Sequence, residues 1–65
     1  MLTVNGAPLE VNGDMTLPDL LDTLNLTNHP CAVEVNASLV PHDQRKEFVV
    51  RDGDSVEVVT LVGGG

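Results

Sequence analysis

Three consecutive glycines, Gly63 to Gly65, end the sequence directly after the apolar stretch VVTLV at positions 58–62. Because glycine has no Cβ atom, such a segment is thin enough to enter a narrow channel in another protein. Fully extended at ~3.3–3.6 Å per residue, it would reach roughly 10 Å beyond a folded domain. The group at its tip is the α-carboxylate of Gly65, which is ionised at neutral pH. The pattern therefore predicts a tail that delivers a carboxylate to the sites of other enzymes.

A carboxylate is a poor electrophile, because its two oxygens share the negative charge, and adenylation with ATP is a way to activate it. This sequence contains no nucleotide-binding motif, since Gly6 and Gly13 each follow an asparagine and read as turn glycines. A partner enzyme would therefore supply the nucleotide site. A sulfur donor could then displace AMP and leave a thiocarboxylate on Gly65. The expected role is that of a carrier and protein co-substrate, not of an enzyme.

Other residues with reactive side chains are too scattered to predict a catalytic or metal site. His29, Cys31 and His42 do not form a ligand set with typical metal-site spacing. Cys31 is the only cysteine and begins a predicted strand, where it is expected to act as a small, partly buried apolar residue. Asp52 and Asp54 flank a glycine and indicate a solvated turn. We predict no catalytic residue and no metal ligand.

Length, composition and charge limit the possible partners. The 65 residues indicate one small domain at 1–62 and a flexible glycine tail at 63–65, expected to be monomeric when free. The formal net charge of −7 disfavours nucleic acid and anionic membranes and favours a partner with a basic docking surface. With no signal peptide and no apolar run near the ~20 residues of a membrane span, the expected location is the cytoplasm.

The pattern of apolar residues predicts one helix among several strands. The stretch MLTVNGAPLEVNGD (1–14) reads as a hairpin turning at Asn5-Gly6, and Pro8 predicts a loop slightly longer than two residues. A helix is expected after Thr16, because leucines recur with helical spacing on one face. The members of this stripe are Leu17, Leu20, Leu21 and Leu24. Strands are expected at 31–36, around 48–50 and at 55–62, with a brief extended pair at 39–40 and a polar turn after it.

The last strand presents two different faces. Val56 and Val58 alternate with Glu57 and Val59, so the first two are expected to pack on the helix and Val59 and Leu61 to point away from it. An exposed apolar pair next to the tail predicts a docking surface. The first and last strands are the most apolar, which favours their pairing at the sheet centre. The expected fold is α+β and of the β-grasp, ubiquitin-like type, with one helix on a mixed four- to five-stranded sheet.

Three segments resemble the ThiS family of sulfur carriers: LTVNGAPLEV, TLPDLLDTLNL and VPHDQ…FVVRDGDSVEVVTLVGGG. The resemblance covers essentially the whole chain. It implies that a ThiF- or MoeB-like enzyme, using ATP and Mg²⁺, adenylates the terminal carboxylate, and that persulfide sulfur from a cysteine desulfurase converts it to a thiocarboxylate. Thiazole synthase would then take up the sulfur for thiamine biosynthesis. In this comparison Gly65 carries the sulfur, Gly64 gives clearance in the channel, and partners dock near Val59, Leu61 and Val62.

Two alternatives remain open. The MoaD type of carrier, which serves molybdopterin synthesis, and other thiocarboxylate carriers share the fold and the diglycine end. A ubiquitin-like binding module without terminal chemistry is the alternative from another class.

Overall fold

The computed structural model describes residues 1–61, which form five strands of one sheet, two strands of a small second sheet, an α-helix and a 3₁₀ helix. In chain order the elements are β1 (Leu2–Val4), β2 (Ala7–Leu9), β3 (Met15–Thr16), α1 (Leu17–Thr23), β4 (Cys31–Val35), β5 (Ser38–Leu39), the 3₁₀ helix (His42–Glu47), β6 (Val49–Val50) and β7 (Ser55–Thr60). Val62, predicted to take part in docking, and the predicted tail, Gly63 to Gly65, lie outside the described residues.

The first and last strands lie side by side, as the sequence predicted. The main sheet has the order β2-β1-β7-β4-β5, in which β7 runs parallel to β1 and antiparallel to β4. The parallel register joins Val4 to Val56, and the antiparallel register joins Val33 to Val58. The sheet is therefore mixed, and β7, the strand that precedes the tail, occupies its centre.

Helix α1 begins and packs as its sequence predicts. Thr16 is the N-cap, and its side chain accepts a hydrogen bond from the backbone N–H of Asp19, while the Asp19 carboxylate accepts one from the Thr16 N–H. This capping box satisfies two N–H groups that the first turn leaves unpaired. Pro18 lies in the first turn, where its missing N–H costs nothing. The helix ends at Thr23, one residue before the last leucine of the stripe.

The leucine stripe of α1 covers one face of the sheet. Leu17 and Leu20 are fully buried and pack with Val33 and Val56 from the two central strands. The remaining fully or almost fully buried core residues are Leu2, Val4, Leu21, Val35, Val40, Val50 and Val58. The core is built almost wholly from leucine and valine, because Phe48 is the one aromatic residue of the sequence and lies only partly buried.

The prediction of a longer first hairpin loop is wrong. Val4 pairs with Ala7, so only Asn5 and Gly6 form the turn. Their φ angles of +52° and +82° suit a tight two-residue turn. Pro8 lies inside β2 instead of in the loop. It is tolerated there because β2 is an edge strand, whose outer side needs no hydrogen-bond donor.

The segment between β5 and β6 contains more structure than the predicted polar turn. His42–Glu47 form a 3₁₀ helix that follows Pro41 and contacts α1. The following strand, β6, pairs with Met15 and Thr16 in a separate two-stranded sheet instead of joining the main one. Short i to i+3 turns have no distinctive hydrophobic period, so the pattern of apolar residues did not reveal this helix.

Candidate functional site

Strand β7 is held on the β1 side by the side chain of Asn5. The Asn5 Oδ1 atom accepts a hydrogen bond of 2.8 Å from the Val58 N–H, and its Nδ2 donates one of 3.3 Å to the Val58 carbonyl. The amide group thus continues the β1–β7 ladder beyond Val4, where the chain turns into the hairpin. The sequence indicated only a turn residue here, and the contact with a strand 53 positions away was not predicted.

Asn36 has the same function on the opposite side of β7. It also has a positive φ, of +51°, and its Oδ1 accepts a hydrogen bond of 2.9 Å from the Ser55 N–H. Its Nδ2 donates to the carboxylate of Asp54 at 3.1 Å. Two asparagines, each in a hairpin turn of a neighbouring strand, therefore fix the position of β7 in the sheet.

Asp54 connects this bracing to the turn before β7. Its carboxylate accepts one hydrogen bond from Asn36 and another, of 2.9 Å, from the backbone N–H of Arg51. These two bonds, with a smaller contribution from the positive charge of Arg51, hold the pKa of the Asp54 carboxyl below its usual value. The prediction of an Asp-Gly-Asp turn is confirmed, and the turn is more ordered than a merely solvated one.

The outer face of the sheet carries the apolar pair that the sequence singled out. Val59 and Leu61 are 56% and 57% exposed, whereas Val56 and Val58 are buried under α1. The Leu61 N–H donates to the carbonyl of Pro30 at 2.9 Å, so the β4 ladder extends one residue past the assigned end of β7. The backbone of Val59 and Leu61 is therefore part of the hydrogen-bonded ladder, while more than half of each side chain is exposed to solvent.

Two glutamates lie beside this apolar pair. Glu34 and Glu57 are directly opposite each other in the β4–β7 register, two positions further from the tail than Ala32 and Val59 and therefore on the same face of the sheet. Like charges opposite each other across strands destabilise a sheet. Within residues 1–61 neither glutamate forms an ion pair. We refer to Val59, Leu61, Glu34 and Glu57 as the outer-face patch.

The remaining candidates of the sequence analysis lie on the other side of the molecule. His29 and His42 line one groove together with Arg45 and Lys46. Cys31 is partly buried against the core, with its Sγ 3.8 Å from Arg45 Nη1. In the described part of the chain, no three His, Cys, Asp or Glu side chains are grouped so that they could hold a metal ion. No helix between residues 1 and 61 is long and apolar enough to cross a membrane.

Taken together, one helix on one face of a mixed five-stranded sheet, with parallel first and last strands at its centre, defines a β-grasp, ubiquitin-like protein. The predicted fold class is confirmed by a crystal structure of the thiamine biosynthesis protein ThiS from Geobacter metallireducens. That structure matches with a TM-score of 0.84 and 33% sequence identity, over 98% of this chain and 97% of the other.

The sequence model of the ThiS family matches residues 2–65, and the chain belongs to this family. The sulfur carrier protein ThiS of Bacillus subtilis is 35% identical over 66 residues, covering the full length of both chains. A thiazole synthase from Paramagnetospirillum magneticum is 36% identical over 64 residues, which are 98% of this chain but only 20% of that longer protein. The resemblance drawn from the three sequence segments is thus confirmed.

Proposed function

We propose that this protein is a sulfur carrier for thiamine biosynthesis, with the α-carboxylate of Gly65 as its chemical site. The observation that carries the proposal is the family match, which extends through the glycines to residue 65. The structure adds physical support, because the strand before the tail is central in the sheet and is held by neighbours on both sides. A carrier needs such a strand, since the position of its tail relative to a docked partner depends on it.

The outer-face patch is the proposed docking surface. Val59 and Leu61 supply apolar area that binding would remove from water, and Val62 extends the same segment in the sequence towards the glycines. Glu34 and Glu57 add negative charge that no cationic side chain of residues 1–61 pairs with. A partner surface with an apolar centre and lysine or arginine side chains at its edge would relieve the repulsion between these two carboxylates.

Two reactions at Gly65 would load the carrier. A ThiF- or MoeB-like adenylating enzyme, with its own ATP and Mg²⁺, joins AMP to the carboxylate and releases pyrophosphate. A sulfur nucleophile then displaces AMP. If the sulfur arrives as a desulfurase-derived persulfide, the product is an acyl disulfide, and a second thiol releases the thiocarboxylate by forming a disulfide with the donor. Gly63 and Gly64 contribute by offering no side chain to the channel that admits the tail.

Thiazole synthase is the proposed recipient of the sulfur. A segment similar to this chain occurs within a protein of that name. Joining a carrier to its recipient in one polypeptide raises their effective concentration, so the pairing is physically reasonable. In this role the chain is a co-substrate and contributes no catalytic side chain of its own.

Intact-mass spectrometry tests the proposed chemistry directly. The full chain is incubated with a ThiF-like enzyme, ATP, Mg²⁺ and a persulfide donor system of demonstrated activity. The expected product has one oxygen replaced by sulfur, localised to Gly65 by fragmentation. Deletion of Gly65, or Gly64→Val, should abolish the product while leaving the circular dichroism spectrum unchanged. Sulfur transfer by either variant would contradict the proposed role of the tail.

A charge-matched pair of variants tests the docking surface. Val59→Asp places a carboxylate on the apolar pair, and Thr60→Asp makes the same charge change one residue away on the other face of β7. Both positions are exposed, so both variants should fold. Val59→Asp should weaken binding to the adenylating enzyme at least tenfold, and Thr60→Asp should change it much less. Equal losses would show that net charge, not the apolar pair, governs docking.

Growth of a deletion strain distinguishes the pathways. A requirement for thiamine alone supports the proposal, whereas loss of molybdoenzyme activity would assign the chain to the MoaD type. If a chain truncated after Val62 restored growth, the protein would be a binding module without terminal chemistry.

A further inference from the structure

A groove between α1 and the 3₁₀ helix gathers most of the basic side chains of this acidic protein. Its volume is about 230 Å³, and its apolar wall consists of Pro18, Leu21 and Leu26. The sequence has only three lysines and arginines and two histidines in total. This one groove is lined by two of those three cations, Arg45 and Lys46, and by both histidines, His29 and His42. Thr27 also lines it.

Arg45 is the least usual residue of the groove, because a cationic side chain is here almost completely buried. It is only 9% exposed. Its Nη2 donates a hydrogen bond of 2.6 Å to the Cys31 carbonyl, and its Nη1 lies 3.8 Å from the Cys31 sulfur. The Nε–H has no acceptor among the described residues. Burying a charged group without full pairing is costly, so this guanidinium is positioned at the expense of stability.

Among residues 1–61, no carboxylate forms an ion pair with the cations of the groove. The ion pairs found within residues 1–61 join the amino terminus to Asp52 and Arg51 to Asp14, and neither involves Arg45 or Lys46. No aspartate or glutamate lines the groove, although the sequence has ten. The nearest carboxylate that the hydrogen bonds reveal is that of Asp22, which accepts from the Thr27 hydroxyl at the edge of the groove, so Arg45 and Lys46 lie beside the apolar wall without a direct acidic partner among the described residues. An anion with an apolar body would complement both features.

We propose that this groove binds a small organic phosphate monoester. The phosphate would lie among Arg45, Lys46 and the histidines. Together these side chains offer more N–H donors than the two oxygens of a carboxylate can use, whereas a phosphate monoester has three terminal oxygens to accept them. The organic portion would contact Leu21 and Leu26. The volume is below the usual range of drug-sized pockets, which limits the ligand to a small molecule.

The proposed ligand site is separate from the carrier function. The groove is formed by α1, the loop after it and the 3₁₀ helix, whereas the outer-face patch lies on the opposite side of the sheet. Ligand and docked partner would therefore not compete for the same residues. Failure of the ligand proposal would leave the sulfur-carrier proposal unaffected.

Nuclear magnetic resonance titration of the ¹⁵N-labelled full chain at pH 7 tests the proposal, with phenyl phosphate as the probe. We expect saturable shifts confined to the groove, strongest at His29, His42 and Lys46. Inorganic phosphate, which lacks the apolar body, should bind more weakly, and phenol, which lacks the charge, should not bind measurably. Benzoate binding as tightly as phenyl phosphate would overturn the assignment to a phosphate. Shifts that do not saturate, or that spread over the whole surface, would overturn the site itself.

Two variants that each remove one positive charge, one inside the groove and one outside it, form a matched pair. Lys46→Gln, on an exposed side chain, should weaken phenyl phosphate binding about tenfold, the effect of losing one charge-assisted hydrogen bond. Arg51→Gln removes the one remaining cationic side chain, which lies outside the groove, and should leave the affinity unchanged. Equal weakening in both variants would reduce the observation to non-specific attraction and refute the proposal. Because Arg45→Gln alters a buried contact, His42→Gln serves as the second groove variant and should also weaken binding.

Discussion

Replacing Asn5 by aspartate provides a sharp test of how β7 is held. The change is nearly isosteric, but it replaces the Nδ2 donor by an oxygen. The bond of 2.8 Å from the Val58 N–H to Oδ1 can persist, whereas the bond of 3.3 Å to the Val58 carbonyl is lost. A carboxylate oxygen would then face that partly buried carbonyl oxygen.

The expected cost follows from leaving one partly buried acceptor unsatisfied, which typically amounts to about 1–3 kcal/mol. We therefore expect Asn5→Asp to lower the free energy of unfolding by about 2 kcal/mol. For a domain of this size, each kcal/mol corresponds to about 4–8 °C, so the melting temperature should fall by about 8–16 °C. Urea unfolding followed by circular dichroism measures the first quantity, and the slope with urea should not change. Amide exchange at Val58 should accelerate.

The pH dependence of the stability difference shows whether the lost hydrogen bond to the Val58 carbonyl is its cause. When the introduced carboxyl is protonated at acid pH, it can donate a hydrogen bond to the Val58 carbonyl again. The stability gap between Asn5→Asp and the parent should therefore narrow as the pH falls. Asn12→Asp, an exposed position with the same charge change, should stay within about 0.5 kcal/mol of the parent. If Asn5→Asp behaved like this control, or if its gap did not depend on pH, the proposed bracing would be refuted.

Two further predictions concern acidic residues around β7. Glu57→Gln removes the like-charge contact with Glu34 and should raise the free energy of unfolding by about 0.2–1 kcal/mol. The same change should weaken binding to the adenylating enzyme. A variant that is neither more stable nor weaker in binding would contradict the role given to this pair. The hydrogen bonds that lower the pKa of Asp54 should stabilise the fold above the ordinary pKa of aspartate and lose this effect as the pH falls through the lowered value. The stability advantage of the parent over Asp54→Asn, measured by urea unfolding, should therefore be full near pH 7 and decline only in strong acid; an advantage that is independent of pH would refute this account.

Local patterns in the sequence predicted the helix and its start accurately. Thr16 and the leucine spacing are signals that act within one or two turns, and the structure has the helix start at the predicted N-cap. The exposure of Val59 was predictable for the same reason, because alternation along one strand decides which side chains share a face.

Features that depend on distant parts of the chain were missed or mispredicted. The sequence predicted Pro8 in a loop, because proline cannot donate a hydrogen bond to a neighbouring strand. An edge strand does not need that donor, and which strand lies at the edge is a property of the whole sheet. The burial of Arg45 was also unpredicted, since a charged residue is buried only when a neighbouring element, here the backbone of Cys31, accepts its hydrogen bonds.

The sequence by itself determined the fold class through its apolar periodicity and the chemical candidate, Gly65, through its terminal glycines, while the resemblance of three segments indicated the family. Only the tertiary structure decided what surrounds β7. It placed Asn5 and Asn36 against that strand, paired Glu34 with Glu57, and collected both histidines beside Arg45 and Lys46. Asn5 is far in sequence from β7, as are Glu34 from Glu57 and His29 from the 3₁₀ helix, and only the packing of the sheet and helices brings these partners together.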